Sequence, residues 1–153
     1  YLAALTIFTL IVYATAVQYN RADTARLRTG AVVALALVPL GHLFSFGTVF
    51  AYTPEVQIVY YGLALVLFAL LVAIGTWTRA TGDRDAIRQG YLSLVAAALL
   101  AIQMVLGRHG LDPQGLLVAD SVAGLVFVVL LGAAWFAFRA ADGDTPMSGS
   151  FAR

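Results

Sequence analysis

Residues 54–78, PEVQIVYYGLALVLFALLVAIGTWT, form an apolar stretch whose only charged residue is Glu55, near its start. A helix of this length crosses the roughly 30 Å hydrocarbon core of a bilayer. Further apolar stretches lie at about 1–18, 29–51, 86–106 and 113–138. The sequence therefore predicts an all-α, polytopic membrane bundle of about five transmembrane helices within residues 1–139. A disordered cytoplasmic tail rich in Gly, Ser and Asp is expected over 140–153.

The composition excludes several classes of protein. Of 153 residues, 61% are hydrophobic and 11% charged, whereas soluble domains carry roughly 25% charged residues. A soluble enzyme is thereby excluded, and lipid is the expected surrounding. The net charge of +1 argues against a nucleic-acid partner. With no cysteine, and with arginine as the only basic residue besides histidine, the sequence offers neither thiolate nor Schiff-base chemistry.

Some features indicate where the protein resides. The first apolar stretch lacks the basic lead-in and cleavage site of a signal peptide, so we expect a helix that is retained. Arginine without lysine, together with the Gly- and Asp-containing segments 81–85 and 141–144, is typical of a GC-rich genome, such as that of a halophile. We therefore expect the cell membrane of a prokaryote.

The distribution of arginine predicts the orientation. Arginines lie in the first connection, in the third connection and after the last stretch: Arg21, Arg26, Arg28, Arg79, Arg84, Arg88, Arg139 and Arg153. The second connection has none and the fourth has only Arg108. Because arginine-rich short loops stay in the cytoplasm, the N-terminus is predicted outside and the C-terminus inside.

Capping residues predict the helix starts. Thr53 and Pro54 fit the start of the third helix, either Asp83 or Asp85 that of the fourth, and Asp112 that of the fifth. Small residues four apart, at Ser93, Ala97 and Ala101 and at Ala119 and Ala123, predict that the fourth and fifth helices pack together.

Polar residues of the predicted spans gather in the outer half of the bundle. Asp120 lies about seven positions into the fifth helix, and His42 about nine from the outer end of the second. Gln103 and Tyr61 lie at a similar level. Because an ionisable residue at membrane depth is costly, these four residues are predicted as a binding site for a lipophilic cofactor, with Asp120 as counter-ion or proton carrier. His42 is a candidate ligand of haem or a chlorin, or a donor to a quinone. The alternative for both is hydrogen bonding to neighbouring helices.

Two segments resemble known families. Residues 117–124, LVADSVAG, resemble the last helix of microbial rhodopsins, which carries an aspartate counter-ion and the retinal lysine four residues later. Gly124 stands at the lysine position, so the resemblance does not imply covalent retinal. Residues 103–107, QMVLG, resemble part of haem A synthase, whose ligand histidines fall at Tyr60 or Tyr61 and at Asp120. Neither resemblance includes the residues that hold the cofactor, so neither assigns a family.

Three hypotheses of function follow. The first is a non-catalytic subunit or interaction partner within a larger membrane assembly, formed with other membrane protein subunits or with copies of itself, since no nucleophile–base pair or metal cluster is evident. The second is a binder of a quinone, haem, chlorin or carotenoid near His42 and Asp120. The third is a small proton-linked transporter that uses Asp120, although no internal repeat or pair of broken helices supports it.

Overall fold

The computed structural model describes residues 2–19, 23–44, 50, 53–106 and 113–142. These residues form five α-helices, with a 3-10 turn at Thr78–Ala80 and no strand among them. The helices are α1 (Leu2–Gln18), α2 (Thr24–Leu43), α3 (Pro54–Trp77), α4 (Arg84–Leu106) and α5 (Pro113–Asp142). The predicted all-α class is confirmed.

Four of these helices, rather than all five, are long and apolar enough to cross a membrane. They are α2, α3, α4 and α5, with spans at Thr24–Leu43, Pro54–Ala80, Arg84–Val105 and Leu117–Ala140. The 17 residues of α1 extend about 25 Å at 1.5 Å per residue, short of a core of about 30 Å. The prediction of about five membrane-spanning helices is therefore supported for four of the helices.

The predicted bounds of α2, 29–51, are wrong at both ends. The helix begins at Thr24 because the carboxylate of Asp23 accepts a hydrogen bond of 2.7 Å from the backbone N–H of Arg26. It ends at Leu43, and the N–H of Phe44 then bonds the carbonyl of Gly41 at 3.1 Å. Polar residues thus open the helix and apolar residues follow it, so hydropathy alone misplaced the boundaries.

The other predicted starts agree better with the structure. The hydroxyl of Thr53 accepts from the N–H of Val56, and α3 begins at Pro54 as expected. Asp83, rather than Asp85, caps α4, since its carboxylate accepts from the N–H of Ala86 at 2.8 Å. The fifth helix runs beyond its predicted end at 138 to Asp142. Residue 112 and residues 143–153 lie outside the described part of the chain.

Helices α2 to α5 form a closed ring in which each helix packs on the next and α5 packs back on α2. Helices α4 and α5 pack together, as predicted, and their contact is the most extensive of the bundle. Of the predicted small residues, Ser93, Ala97 and Ala119 are buried, and Ala101 and Ala123 are partly buried. Leu71, Met104 and Val126, each at most 1% exposed, fill the centre of the ring. Helix α1 packs mainly on the outside of α3.

Glycine allows α3 and α4 to approach closely. A Cβ atom added to Gly90 would overlap the hydroxyl of Thr78 and lie 3.0 Å from the Cβ of that residue. A Cβ on Gly75 would lie 2.5 Å from Cγ of Leu94. The two helices therefore meet almost backbone to backbone next to the 3-10 turn.

Candidate functional site

Three hydrogen bonds between helices show which ends lie together. The indole N–H of Trp77 donates to the carbonyl of Ala16 at 2.9 Å, which joins the ends of α3 and α1. The amide of Gln89 donates to the carbonyl of Leu27 at 3.1 Å, which joins the starts of α4 and α2. The guanidinium of Arg28 in turn donates to the carbonyl of Phe138, near the end of α5, at 3.4 Å.

The two ends of the bundle therefore differ in chemistry. One, which we call the arginine end, carries every arginine that the structure describes: Arg26, Arg28, Arg79, Arg84, Arg88 and Arg139. The other, which we call the polar end, holds the predicted site residues His42, Tyr61, Gln103 and Asp120. The described arginines share one end, but the expectation that polar residues of the spans gather at the other end is wrong for Thr78, Gln89 and Ser93, which are buried in the arginine half.

The polar end contains a small, partly open cavity between α2, α3, α4 and α5. Its polar lining comes from His42, Tyr60 and Gln103, and its remaining walls are mainly aliphatic. The cavity has a volume of about 30 Å³, enough for water, which needs roughly 10–15 Å³. Sites for drug-sized ligands occupy roughly 300–1,000 Å³, so this cavity has no room for a haem, chlorin or quinone ring.

A larger open groove lies beside the cavity, on the outer face between α2 and α5. We call it the His42–Asp120 groove. Its volume is about 350 Å³ and its walls are formed by Val38, Pro39, His42, Asp120, Ala123, Gly124 and Phe127. Its depth comes from the small residues of α5, and a Cβ added to Gly124 would meet no atom within 4 Å.

The structure divides the four predicted site residues between these two spaces. His42 lines both, Asp120 lines only the groove and Gln103 lines only the cavity. Tyr61 lines neither and packs edge-on against Tyr60, with ring centroids 5.2 Å apart. Neighbouring residues of a helix point about 100° apart, so only one of the two tyrosines faces the cavity, and that one is Tyr60.

His42 also occupies a different position in its helix from the predicted one. Because α2 ends at Leu43, His42 lies in the last turn and not about nine residues from the end. The depth of roughly 14 Å expected from the longer helix is therefore wrong. Asp120 is eight residues into α5, close to its predicted place.

Asp120 is exposed on the wall of the groove. It makes no hydrogen bond or ion pair with any residue that the structure describes. Its surroundings on α5 are apolar, since Leu117, Val118 and Leu125 are 69%, 49% and 49% exposed. The adjacent Ser121 donates to the carbonyl of Leu117 at 2.7 Å, so its hydroxyl is satisfied within the helix. Asp120 thus presents a carboxyl group on an otherwise apolar face.

Gln89 is a polar residue that the sequence analysis did not identify. It is fully buried at the arginine end, where its amide bonds α2 and its Oε1 atom has no hydrogen-bond partner among the described residues. Its position four residues before Ser93, also buried, is the only signal in the sequence that could have indicated an inward-facing polar row.

The protein is therefore an all-helical bundle in which four helices are long and apolar enough to cross a membrane. The described arginines lie at one end of the bundle, and an open groove with a carboxyl group lies at the other. No group of three or more His, Cys, Asp or Glu suited to a metal ion occurs among the described residues. No protein-family model, curated protein or solved structure matches the chain.

Proposed function

We propose that the chain is a multi-pass membrane protein whose arginine end faces the cytoplasm. The four long apolar helices support insertion, as do the many exposed aliphatic side chains on their outer faces. The collection of arginines at one end supports the orientation, because basic residues near the ends of spans are retained in the cytoplasm. The end of α5 then lies inside, and α1, whose end is bonded to Trp77 at the arginine end, begins toward the outer side.

Single cysteines test this orientation, because the chain has no cysteine of its own. Glu55, exposed at the polar end, and Thr81, exposed at the arginine end, are replaced one at a time. A membrane-impermeant maleimide added to intact cells should label Glu55→Cys, and should label Thr81→Cys only after the cells are permeabilised. Labelling of Thr81→Cys alone in intact cells would reverse the orientation.

Within the membrane, we propose a non-catalytic role as a subunit that binds another membrane protein through the His42–Asp120 groove. The exposure of Asp120 on an apolar face is the observation that carries this proposal. An ionised carboxyl group facing lipid costs about 2.5–3.5 kcal/mol at the centre of a span and less toward its end. Asp120 is the fourth residue of the span Leu117–Ala140, so its cost lies below that central value. A transmembrane helix that brings an arginine or lysine to the level of Asp120 would remove that cost.

The shape of the groove suits a helix. Ala123 and Gly124 leave space for close backbone approach, as small residues do between helices in lipid. A second copy of this chain in the same orientation would bring no described arginine to this level, since those arginines lie at the opposite end. A second copy would also carry Arg108, which lies in sequence between the spans of α4 and α5 and within neither of them. We therefore propose as partner a different protein with a basic residue within its span.

Co-purification with the partner tests the proposal. The chain is isolated from its native membrane in mild detergent, and the stoichiometric partner is identified by mass spectrometry. Asp120→Asn should weaken the complex about 30-fold or more, because truncating one member of a desolvated charge pair costs at least about 2 kcal/mol. Ser121→Ala is the matched control, since that hydroxyl bonds its own helix. Equal recovery of the partner with Asp120→Asn would contradict the proposal.

The volume of the groove favours one second candidate, a lipophilic ligand. At about 350 Å³ it falls within the range of small-molecule sites, and His42 lies on its wall. A quinone, haem, chlorin or carotenoid bound here would reach the groove from the lipid. An absorption band that co-purifies stoichiometrically and is lost in His42→Ala would establish this candidate. A quinone is colourless at visible wavelengths and is detected by solvent extraction and chromatography.

A further inference from the structure

At the arginine end, two arginines lie against aromatic side chains near the end of α5, one of which is an exposed tryptophan. Arg28, from α2, stacks on Phe138, with its guanidinium carbon 4.6 Å from the ring centroid. Arg139, on α5 itself, lies 6.0 Å from the ring centroid of Trp135. The indole of Trp135 is 62% exposed. Trp135 follows Leu131 by four residues, so both lie on the same outer face of α5.

Arg88 and Arg139 lie beside the same carboxylate. Asp85 lies 3.2 Å from the guanidinium of Arg88 and 3.9 Å from that of Arg139, so two positive charges share one carboxylate. The side chains of Arg88 and Arg139 remain 62% and 60% exposed.

The face of α5 beyond the arginines is apolar. Leu131 and Val128, one and two turns from Trp135 toward the middle of the helix, are 48% and 62% exposed. The order along this face is therefore guanidinium groups, then an amphipathic indole, then aliphatic side chains. A phospholipid has the same order of headgroup, interface and acyl chain, and tryptophan is enriched at that interface in membrane proteins.

We propose that this face, which we call the Arg28–Arg139 face, binds an anionic phospholipid. The phosphodiester accepts hydrogen bonds from the two guanidinium groups, and an acyl chain lies along Trp135, Leu131 and Val128. Guanidinium groups suit phosphate oxygens because they present several donors in a plane. Basic clusters between helix ends are known to hold anionic headgroups. The inference rests on the proposed membrane insertion, but not on the partner at the His42–Asp120 groove.

Fluorescence quenching by brominated lipids tests the proposal. The full chain with Trp77→Phe keeps Trp135 as its single tryptophan. It is reconstituted in phosphatidylcholine that contains a minor fraction of either dibrominated phosphatidylglycerol or dibrominated phosphatidylcholine. The quenching gives the relative affinity of the two lipids beside Trp135. One arginine near a membrane surface contributes a factor of about five to the affinity for an anionic lipid, so removing Arg28 or Arg139 should lower the preference about fivefold each.

Arg26→Gln is the matched control, because Arg26 belongs to the same helix as Arg28 and pairs with Asp23 at 3.1 Å. The proposal predicts a preference for the anionic lipid that falls in Arg28→Gln and Arg139→Gln and persists in Arg26→Gln. Equal quenching by the two lipids overturns the proposal. An equal loss of the preference in Arg26→Gln also overturns it, because that loss would indicate only a general surface potential. Quenching by neither lipid would instead contradict membrane insertion.

A salt titration keeps the test informative if a variant does not fold. In the Trp77→Phe protein, raising the ionic strength from about 0.1 to about 1 M shortens the screening length from about 10 to about 3 Å. The preference for phosphatidylglycerol should fall toward one as salt increases. A preference that does not change with salt would contradict binding by the arginines.

Discussion

Replacement of Gly90 by alanine should weaken the contact between α3 and α4. In a helix interior, alanine is favoured over glycine by roughly 0.5–1 kcal/mol. The added methyl group at Gly90, however, would overlap the buried hydroxyl of Thr78 and lie 3.0 Å from its Cβ. Rotation of the threonine can move the hydroxyl but not Cβ, so the helices must separate. Overpacking of this kind costs typically about 1–3 kcal/mol, which leaves a net destabilisation of up to about 2.5 kcal/mol relative to the wild type, and of about 1–3 kcal/mol relative to an alanine that meets no neighbour.

Gly62→Ala is the matched control, because Gly62 is exposed within α3 and a Cβ there meets no atom within 4 Å. Thermal unfolding in detergent, followed by tryptophan fluorescence, should show a lower midpoint for Gly90→Ala and an equal or higher one for Gly62→Ala. Thr78→Ala removes the overlapping hydroxyl and should partly restore the Gly90→Ala variant, as coupling between touching residues requires. A Gly90→Ala protein as stable as Gly62→Ala would refute the close approach of the two helices.

The remaining predictions concern single hydrogen bonds. Trp77→Phe removes the hydrogen bond to Ala16 and should weaken the packing of α1 by about 1 kcal/mol. The expected result is faster proteolysis of α1, at a rate that Trp135→Phe leaves unchanged. Asp83→Ala removes the cap of α4 and should lower the free energy of unfolding by about 1 kcal/mol, measured by denaturant titration. Gln89→Ala removes the hydrogen bond to α2 and leaves a cavity, so it should lower the free energy of unfolding by about 2 kcal/mol or more in the same titration. An unchanged midpoint would contradict a structural role of Gln89.

The sequence predicted best those features that depend on local chemistry. The start of α3 at Pro54 follows from a threonine cap and a first-turn proline, both visible without a structure. The cap of α4 could be narrowed to Asp83 or Asp85, and the geometry of the turn selects Asp83. The bounds of α2 could not be predicted in the same way, because Asp23 starts the helix among polar residues that hydropathy assigns to a loop.

The candidate site could be predicted only in part. Membrane depth indicated that His42, Gln103 and Asp120 share one end, and the structure places them there. The depth of a residue in the membrane does not determine the direction in which its side chain points around the helix. In a bundle whose helices are apolar on every side, hydrophobic periodicity gives little guidance on that direction. The sequence therefore could not distinguish an internal pocket from an open groove, or Tyr60 from Tyr61 as the residue that faces the cavity.

Photo-crosslinking in the native membrane tests whether another membrane protein occupies the His42–Asp120 groove. A benzophenone amino acid replaces Phe127 on the groove wall, and in a control replaces Ile58, which is 73% exposed on α3 and does not line the groove. We expect position 127 to form a covalent adduct with one other membrane protein, attached to a span that contains arginine or lysine. Position 58 should form no such adduct. Adducts with lipid alone from both positions would contradict a protein partner at the His42–Asp120 groove.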